Sequence, residues 1–292
     1  MHYSIRELTI GTILDESILL LRNHFKLFAG VVCLALVPLN LATEILAAYK
    51  FPHPPINQTP EEAERYLREC VGSLGWVALG LILLSLIFLI VRPLTVAAIT
   101  RAAACEYLGK PTTIRESYTE TLRACWPVLL TTLLTNAVVA LAFIGTMIPA
   151  IIIFVFALPP FFAGMFGTLA AFGVALYLSF KFSFSVPIVI IEEVGYGKAL
   201  KRSGELMSDN MSVAVVLSLL LFILFIFFVF SSLIIPVKML QIFVSIFMQA
   251  VLLAYSSVVS VVFYFSARCR HEHFDLYRLS QAVAEDDTNL AA

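Results

Sequence analysis

Residues 186–207 read VPIVIIEEVGYGKALKRSGELM, and the fold turns on how that stretch is parsed. An apolar run long enough to have crossed a membrane stops at Glu192 and Glu193, turns through Gly195 and Gly197, and restarts as a basic amphipathic segment. Parsed one way, it is a joint between a span and an interfacial helix. Parsed the other way, its charged side chains form a site.

The composition favours the joint. The chain is 60% hydrophobic and 13% charged, with a mean hydropathy of +0.94, far more apolar than soluble proteins. It is an integral membrane protein. Spans of about 20 residues each, with their connections, take up nearly all of the 292 residues, so no separate soluble catalytic domain is expected. A net charge of -1 says nothing about nucleic acid, but no basic tract or nucleic-acid motif is present, and no nucleic-acid partner is expected. The five cysteines are scattered without a C-x-x-C pair and read as small core residues or free thiols. The first apolar run, Leu27 to Ala48, is too long for a signal peptide and reads as an anchor.

Continuous apolar stretches place six spans at about 27–48, 72–92, 126–147, 166–191, 211–235 and 240–265. The stretch 148–165, broken by Pro149 and Pro159-Pro160, is compatible with an extension of the third span, a re-entrant turn or a seventh helix. With six spans, fifteen Lys and Arg fall on one side and four on the other, which puts both termini in the cytoplasm. A seventh span would spoil that split. In the outward loop, Thr59 as N-cap, Pro60 and Glu61-Glu62 predict a short external helix, and Asn57-Gln58-Thr59 matches a glycosylation acceptor that recurs widely by chance. The polar tail 277–292 reads as disordered.

Three segments share one form, a short amphipathic helix running into a span: TILDESILLLRNHF, TTIRESYTETLRAC and GKALKRSGELMSDN. Their apolar faces are Ile10, Ile13, Leu14, Ile18 and Leu21; Ile114, Tyr118, Leu122 and Cys125; and Ala199, Leu200, Leu206 and Met207. Each face has a serine at its middle: Ser17, Ser117 and Ser203. A small residue there lets the helix lie close against a span. Ser4 with Glu7 and Thr113 with Glu116 form capping boxes at two of the starts. The fold expected is therefore all-α, with six transmembrane helices arranged as three repeats of interfacial helix plus transmembrane hairpin. The alternative is a set of unrelated interfacial helices.

Few polar residues enter the spans. Lys181 lies 11 residues before Glu192, near the midplane if the span ends at that glutamate. If Pro187 bends the helix out near the interface, the lysine need only snorkel, and Phe182 and Phe184 favour that exit. Glu44 and Arg92 mark interfaces at the ends of the first two spans, and Asn40, Asn136, Gln241 and Gln249 read as interhelical glue rather than ligand contacts. His271 and His273, two apart beside Cys269, do not share a helix face, so neither a metal nor any other cofactor is expected. No nucleophile elbow, zinc-protease motif or phosphate loop occurs.

The path from PIVIIEE through GKALKRSGEL resembles the cytoplasmic turn of the membrane domain found beside some glycerophosphoryl diester phosphodiesterases, with matches at Glu192, Gly195, Ala199, Leu200, Lys201, Arg202 and Ser203. A second match lies in YFSARCRHEHFDL, at Arg268, Arg270, Glu272, Phe274, Asp275 and Leu276; His273 replaces the usual glycine. The resemblance implies about six helices with cytoplasmic termini. It does not imply phosphodiesterase activity, because the catalytic barrel is absent from this sequence.

The function expected is a non-enzymatic scaffold or lipid-associated module of the cell membrane, with lipids and membrane or soluble proteins as partners. Three interfacial helices would set Lys and Arg at the headgroups, where each gains about 1 kcal/mol from anionic lipid. Glu192 or Glu193 is expected to pair with Arg202 or Lys198 across the glycine turn. The alternative function is a transporter or lipid-translocating protein with a cavity around Lys181, Asn136 and Glu44. A third reading is an accessory subunit that recruits a soluble enzyme through its tail.

Overall fold

The computed structural model describes residues 7–47, 60–157, 160–235 and 237–272. They form ten helices and, among the described residues, no strand. These are α1 (Ile10–Asn23), α2 (Phe25–Ala47), α3 (Pro60–Tyr107), α4 (Ile114–Arg123), α5 (Cys125–Ala157), α6 (Pro160–Lys181), α7 (Ser185–Ile191), α8 (Tyr196–Ser208), α9 (Met211–Leu233) and α10 (Lys238–Glu272). Six stretches are long and apolar enough to cross a membrane: Phe25–Thr43, Gly75–Tyr107, Cys125–Pro149, Met165–Ile191, Met211–Ser232 and Leu240–Glu272.

Several boundaries differ from the sequence reading. The outward helix is not a separate short element; its backbone is continuous with the second span from Pro60 to Tyr107. Thr59 and the Asn57-Gln58-Thr59 tripeptide lie outside the described residues. The second span does not end at Arg92, because the helix carries on through Pro93. The fourth is interrupted: α6 stops at Lys181 and α7 starts at Ser185. The stretch 148–165 is divided between α5, which passes through Pro149 to Ala157, and α6, which starts at Pro160.

The short helices are set by their caps and faces. Thr113 and Glu116 make the reciprocal capping box of α4. Helix α1 is capped by Thr9 instead, and Ser4 lies outside the described residues. Its buried face is Ile13, Ser17 and Leu20, while Ile18 is 53% exposed. Leu122 on α4 also points outward, and Ser117 and Thr121 are buried. In α8 the buried residues are Ala199, Leu200, Ser203, Leu206 and Met207, the face that the periodicity indicates.

The core gathers where these helices meet the span ends. It joins α1, α2, α7 and α8 to the Ala97–Tyr107 end of α3 and to residues 258–267 of α10. Its largest buried side chains include Tyr264, Phe28, Phe184 and Phe265. Phe184 meets Phe263 and Tyr264 with ring centroids 4.9 and 5.7 Å apart, and Tyr107 stacks on Phe265 at 5.4 Å. Ala97, Ala98, Ala102 and Ala103 are fully buried on α3 and let its neighbours approach closely. Gly30 on α2 serves the same end, since a Cβ there would collide with Ile114 of α4. Tyr118 of α4 donates to the Val31 carbonyl of α2 at 2.7 Å. Burial pushes that phenol's pKa up, against a smaller opposing hydrogen bond from Thr95, so it stays a neutral donor.

Away from this layer the spans turn apolar side chains outward. Trp76, Leu141, Leu169, Phe227 and Phe243 are all more than 60% exposed. In the second span's most apolar window none of the residues is buried inside the protein, and in the third and fifth windows 11% are. Within this chain no other helix covers those faces, and their apolar character suits a hydrocarbon environment.

Candidate functional site: an ionic joint and two polar clefts

The stretch around Glu192 and Arg202 meets residues 264–272 in space. Glu192, at the C-terminal end of α7, accepts a hydrogen bond from the Tyr264 hydroxyl at 2.7 Å. The same carboxylate lies 3.8 Å from Arg202 on α8 and 3.9 Å from Arg268 on α10. Glu272 closes the group, pairing with Arg202 and accepting from Arg268 at 2.9 Å. Arg268 also lies over the Tyr264 ring, 5.8 Å from its centroid. The result is two carboxylates and two guanidiniums, each mostly sheltered, which neutralise one another and tie α7, α8 and α10 together.

Neighbouring charges extend the tie. Arg270 donates to the buried Asn210 side chain at 3.0 Å and reaches Glu7 at 4.0 Å. His271 stands 3.4 Å from Asp209. Lys198 is exposed and takes no part, and Asp275 lies outside the described residues. Glu193 points away from Arg202, toward Arg101 at 4.0 Å on α3.

The three serines are all fully buried but do different things. Ser17 and Ser117 donate to carbonyls of their own chain segment, Ile13 at 2.6 Å and Thr113 at 3.0 Å. Ser203 instead donates to the Lys181 carbonyl at 2.9 Å and accepts from the Phe184 backbone N–H at 3.2 Å. It thus satisfies both sides of the break between α6 and α7.

A crevice of about 370 Å³ opens beside the joint, lined by Arg101, Glu120, Arg123 and Glu193 together with apolar residues of α5 and α7. Arg101 is 3.7 Å from Glu120, and Glu120 accepts from Arg123 at 2.6 Å. Glu193 holds a left-handed backbone, φ 53°, which a non-glycine residue adopts at a cost. That turn separates the two adjacent glutamates, one into the joint and one onto the crevice.

Lys181, Asn136 and Glu44 do not come together as a described cavity. Lys181 lies at the end of α6 in an open groove with Phe182, Leu200, Lys201, Gly204, Glu205 and Ser208. Its Cε would lie 3.1 Å from a Cβ added at Gly204, so the lysine runs alongside the short amphipathic helix α8. Asn136 is exposed on α5, and the Glu44 side chain lies outside the described residues.

The polar cleft within the spans holds Arg92, which sequence reasoning took as an interface marker. About 280 Å³ lies between α2, α3, α9 and α10, lined by Asn40, Arg92, Gln249 and Ser256 with Leu36, Phe88, Phe225 and Leu253. A second space of about 220 Å³ shares Phe225, Gln249 and Leu252 with it. Arg92 sits at the middle of the stretch Gly75–Tyr107. Its one described charge contact is the Phe88 ring, 5.8 Å from centroid to guanidinium. An arginine held at the centre of a bilayer would cost about 2.5–3.5 kcal/mol on insertion scales, and one exposed cation–π contact would return only about 0.5–1 kcal/mol. The available signal was the pair Arg92-Pro93 itself, a charge and a helix breaker inside an apolar run.

Among the described residues, no group of three or more His, Cys, Asp or Glu is placed to hold a metal ion. The family described as a domain of unknown function (DUF8558) matches residues 2–285, and the chain belongs to it. No curated protein and no solved structure matches the chain.

Proposed function

For this member of the DUF8558 family, we propose a non-enzymatic role as a lipid-associated membrane scaffold, multi-pass in the cell membrane with both termini cytoplasmic. The observation that carries the reading is the contrast along the spans, most marked in α3 and α10. Span ends are locked by a packed core and an ionic joint, whereas their apolar lengths face outward and need lipid. An enzyme or a gated pore would be expected to enclose its working groups among the spans. Here the densest packing lies at one end.

The three-repeat arrangement belongs to this proposal. It is supported by the buried serine in each of α1, α4 and α8. These helices would lie at the cytoplasmic headgroups, with exposed Lys198, Lys201, Arg115 and Arg123 toward anionic lipid, each gaining about 1 kcal/mol there. Kinship with the membrane domain of glycerophosphoryl diester phosphodiesterases is proposed on the same footing, supported by the gathering of Glu192, Arg202, Arg268 and Glu272 into one cluster. A membrane or soluble protein would then dock on the cytoplasmic layer.

Native mass spectrometry of the gently solubilised full chain tests the reading. Retained phospholipid in several copies per chain is the expected result. A chain released free of lipid, or one that carries only a soluble metabolite, would overturn it.

A further inference from the structure

The lipid-associated reading leaves the Arg92 cleft unassigned, and the inference drawn here rests on that reading. Arg92 lies nine residues before Arg101, which places it about 14 Å further along α3 than the charged crevice at the interface. No carboxylate lines its cleft among the described residues. The cleft's other polar lining is neutral and hydrogen-bonding: Asn40, Gln249 and Ser256. Of these, Ser256 already donates to the Leu253 carbonyl and Gln249 spends one of its two amide N–H groups on Ser245, so the Asn40 amide and the second Gln249 N–H remain as donors. The remaining walls are aliphatic and aromatic, and Arg92, Phe225 and Gln249 are exposed, so the cleft opens sideways and is not sealed.

One fixed positive charge with neutral donors and apolar walls is complementary to a single oxyanion carried on a hydrocarbon tail. We propose that the cleft between α2, α3, α9 and α10 binds the oxyanion headgroup of a membrane amphiphile, a phosphate diester or a carboxylate, with Arg92 as its counter-charge and Asn40 as a second donor. The tail would run along the adjoining space toward Phe228, Ser232 and Met248. A soluble anion would use the guanidinium and leave that apolar space empty.

The test uses the full chain in phosphatidylcholine nanodiscs doped with phosphatidylglycerol or with oleate, with bound amphiphile counted by native mass spectrometry after ejection. The wild type is expected to retain one of the two dopants above its abundance in the disc. Arg92→Gln is expected to lose at least tenfold of that enrichment, Arg92→Lys to keep part of it, and Lys181→Gln to keep all of it. Preference for phosphatidylglycerol would identify a phosphate diester, and preference for oleate a carboxylate. Equal enrichment in Arg92→Gln and wild type would overturn this site while the scaffold reading stands. A wild type that retains no lipid at all would overturn both. Full competition by millimolar inorganic phosphate would also overturn it, as the ligand would then need no tail. A melting curve in lipid-free detergent guards against misfolding: Arg92→Gln is expected to melt no lower than wild type, because it removes an unpaired charge.

Discussion

The two ends of α10 behave like different proteins. Toward its C-terminus, Val258, Val261, Val262, Tyr264, Phe265 and Cys269 are all nearly inaccessible, packed by α1, α3 and α7 and closed by the Glu192 cluster. Toward its N-terminus, Leu240, Phe243 and Phe247 are more than half exposed. Both ends are apolar, so hydrophobicity alone does not separate them. What separates them is the solvent each was built for: protein at one end, lipid at the other. In lipid an outward phenylalanine is already at home, and only shape and polar pairing hold helices together there.

That contrast can be broken from the packed side first. Phe28→Ala removes a fully buried ring and should cost about 3–5 kcal/mol, read from denaturant unfolding in mild detergent. Next comes the joint. Glu192→Gln keeps an acceptor for Tyr264 but strips the charge facing Arg202 and Arg268, and about 2 kcal/mol of stability should go with it. A variant as stable as the wild type would mean that the cluster is a bystander.

Smaller effects sharpen the comparison. Ser203→Ala should lose about 1–2 kcal/mol, since it strands the Phe184 N–H in a buried setting, whereas Ser17→Ala and Ser117→Ala should change stability by less than about 0.5 kcal/mol. Equal losses at all three serines would show that size, not bonding, is what matters at Ser203. Last, Leu141→Ala, at a position 69% exposed, should fall within about 0.5 kcal/mol of wild type by thermal melting in nanodiscs. A large loss there would point to a second chain covering that face.

Much of this was legible in the residues. Six apolar runs gave six spans, because a backbone in hydrocarbon must satisfy itself within a helix about 20 residues long. The pairing of Glu192 with Arg202 could be read from the glycine turn between them, and the capping box of α4 from Thr113 and Glu116. The face of α1 is as expected at Ile13 and Ser17, with Ile10, Leu14 and Leu21 packed at its edge, but Leu20 and not Ile18 faces inward. With apolar residues at 18, 19, 20 and 21, periodicity has no polar side to mark the boundary.

The ends of the spans were harder. Arg92-Pro93 carries every sign of an interface, yet α3 runs through it. A sequence gives the cost of a charge in a span, but not whether the neighbours leave room for it. Lys181 was the opposite case. Its depth turned on where α6 stops, and that stop is bonded by Ser203 from a helix 22 residues further on. Likewise, only the left-handed turn at Glu193 reveals that two adjacent glutamates serve different neighbours.

The sequence by itself determined the membrane class, the number of apolar spans, the short amphipathic helices and one half of the ionic joint, because hydropathy and local spacing are properties of the chain. Tertiary structure alone decided that Tyr264, Arg268 and Glu272 complete that joint, and that Arg92 faces a cleft with Asn40 and Gln249. Both outcomes depend on contacts between helices far apart in the chain, and packing, not periodicity, chooses those.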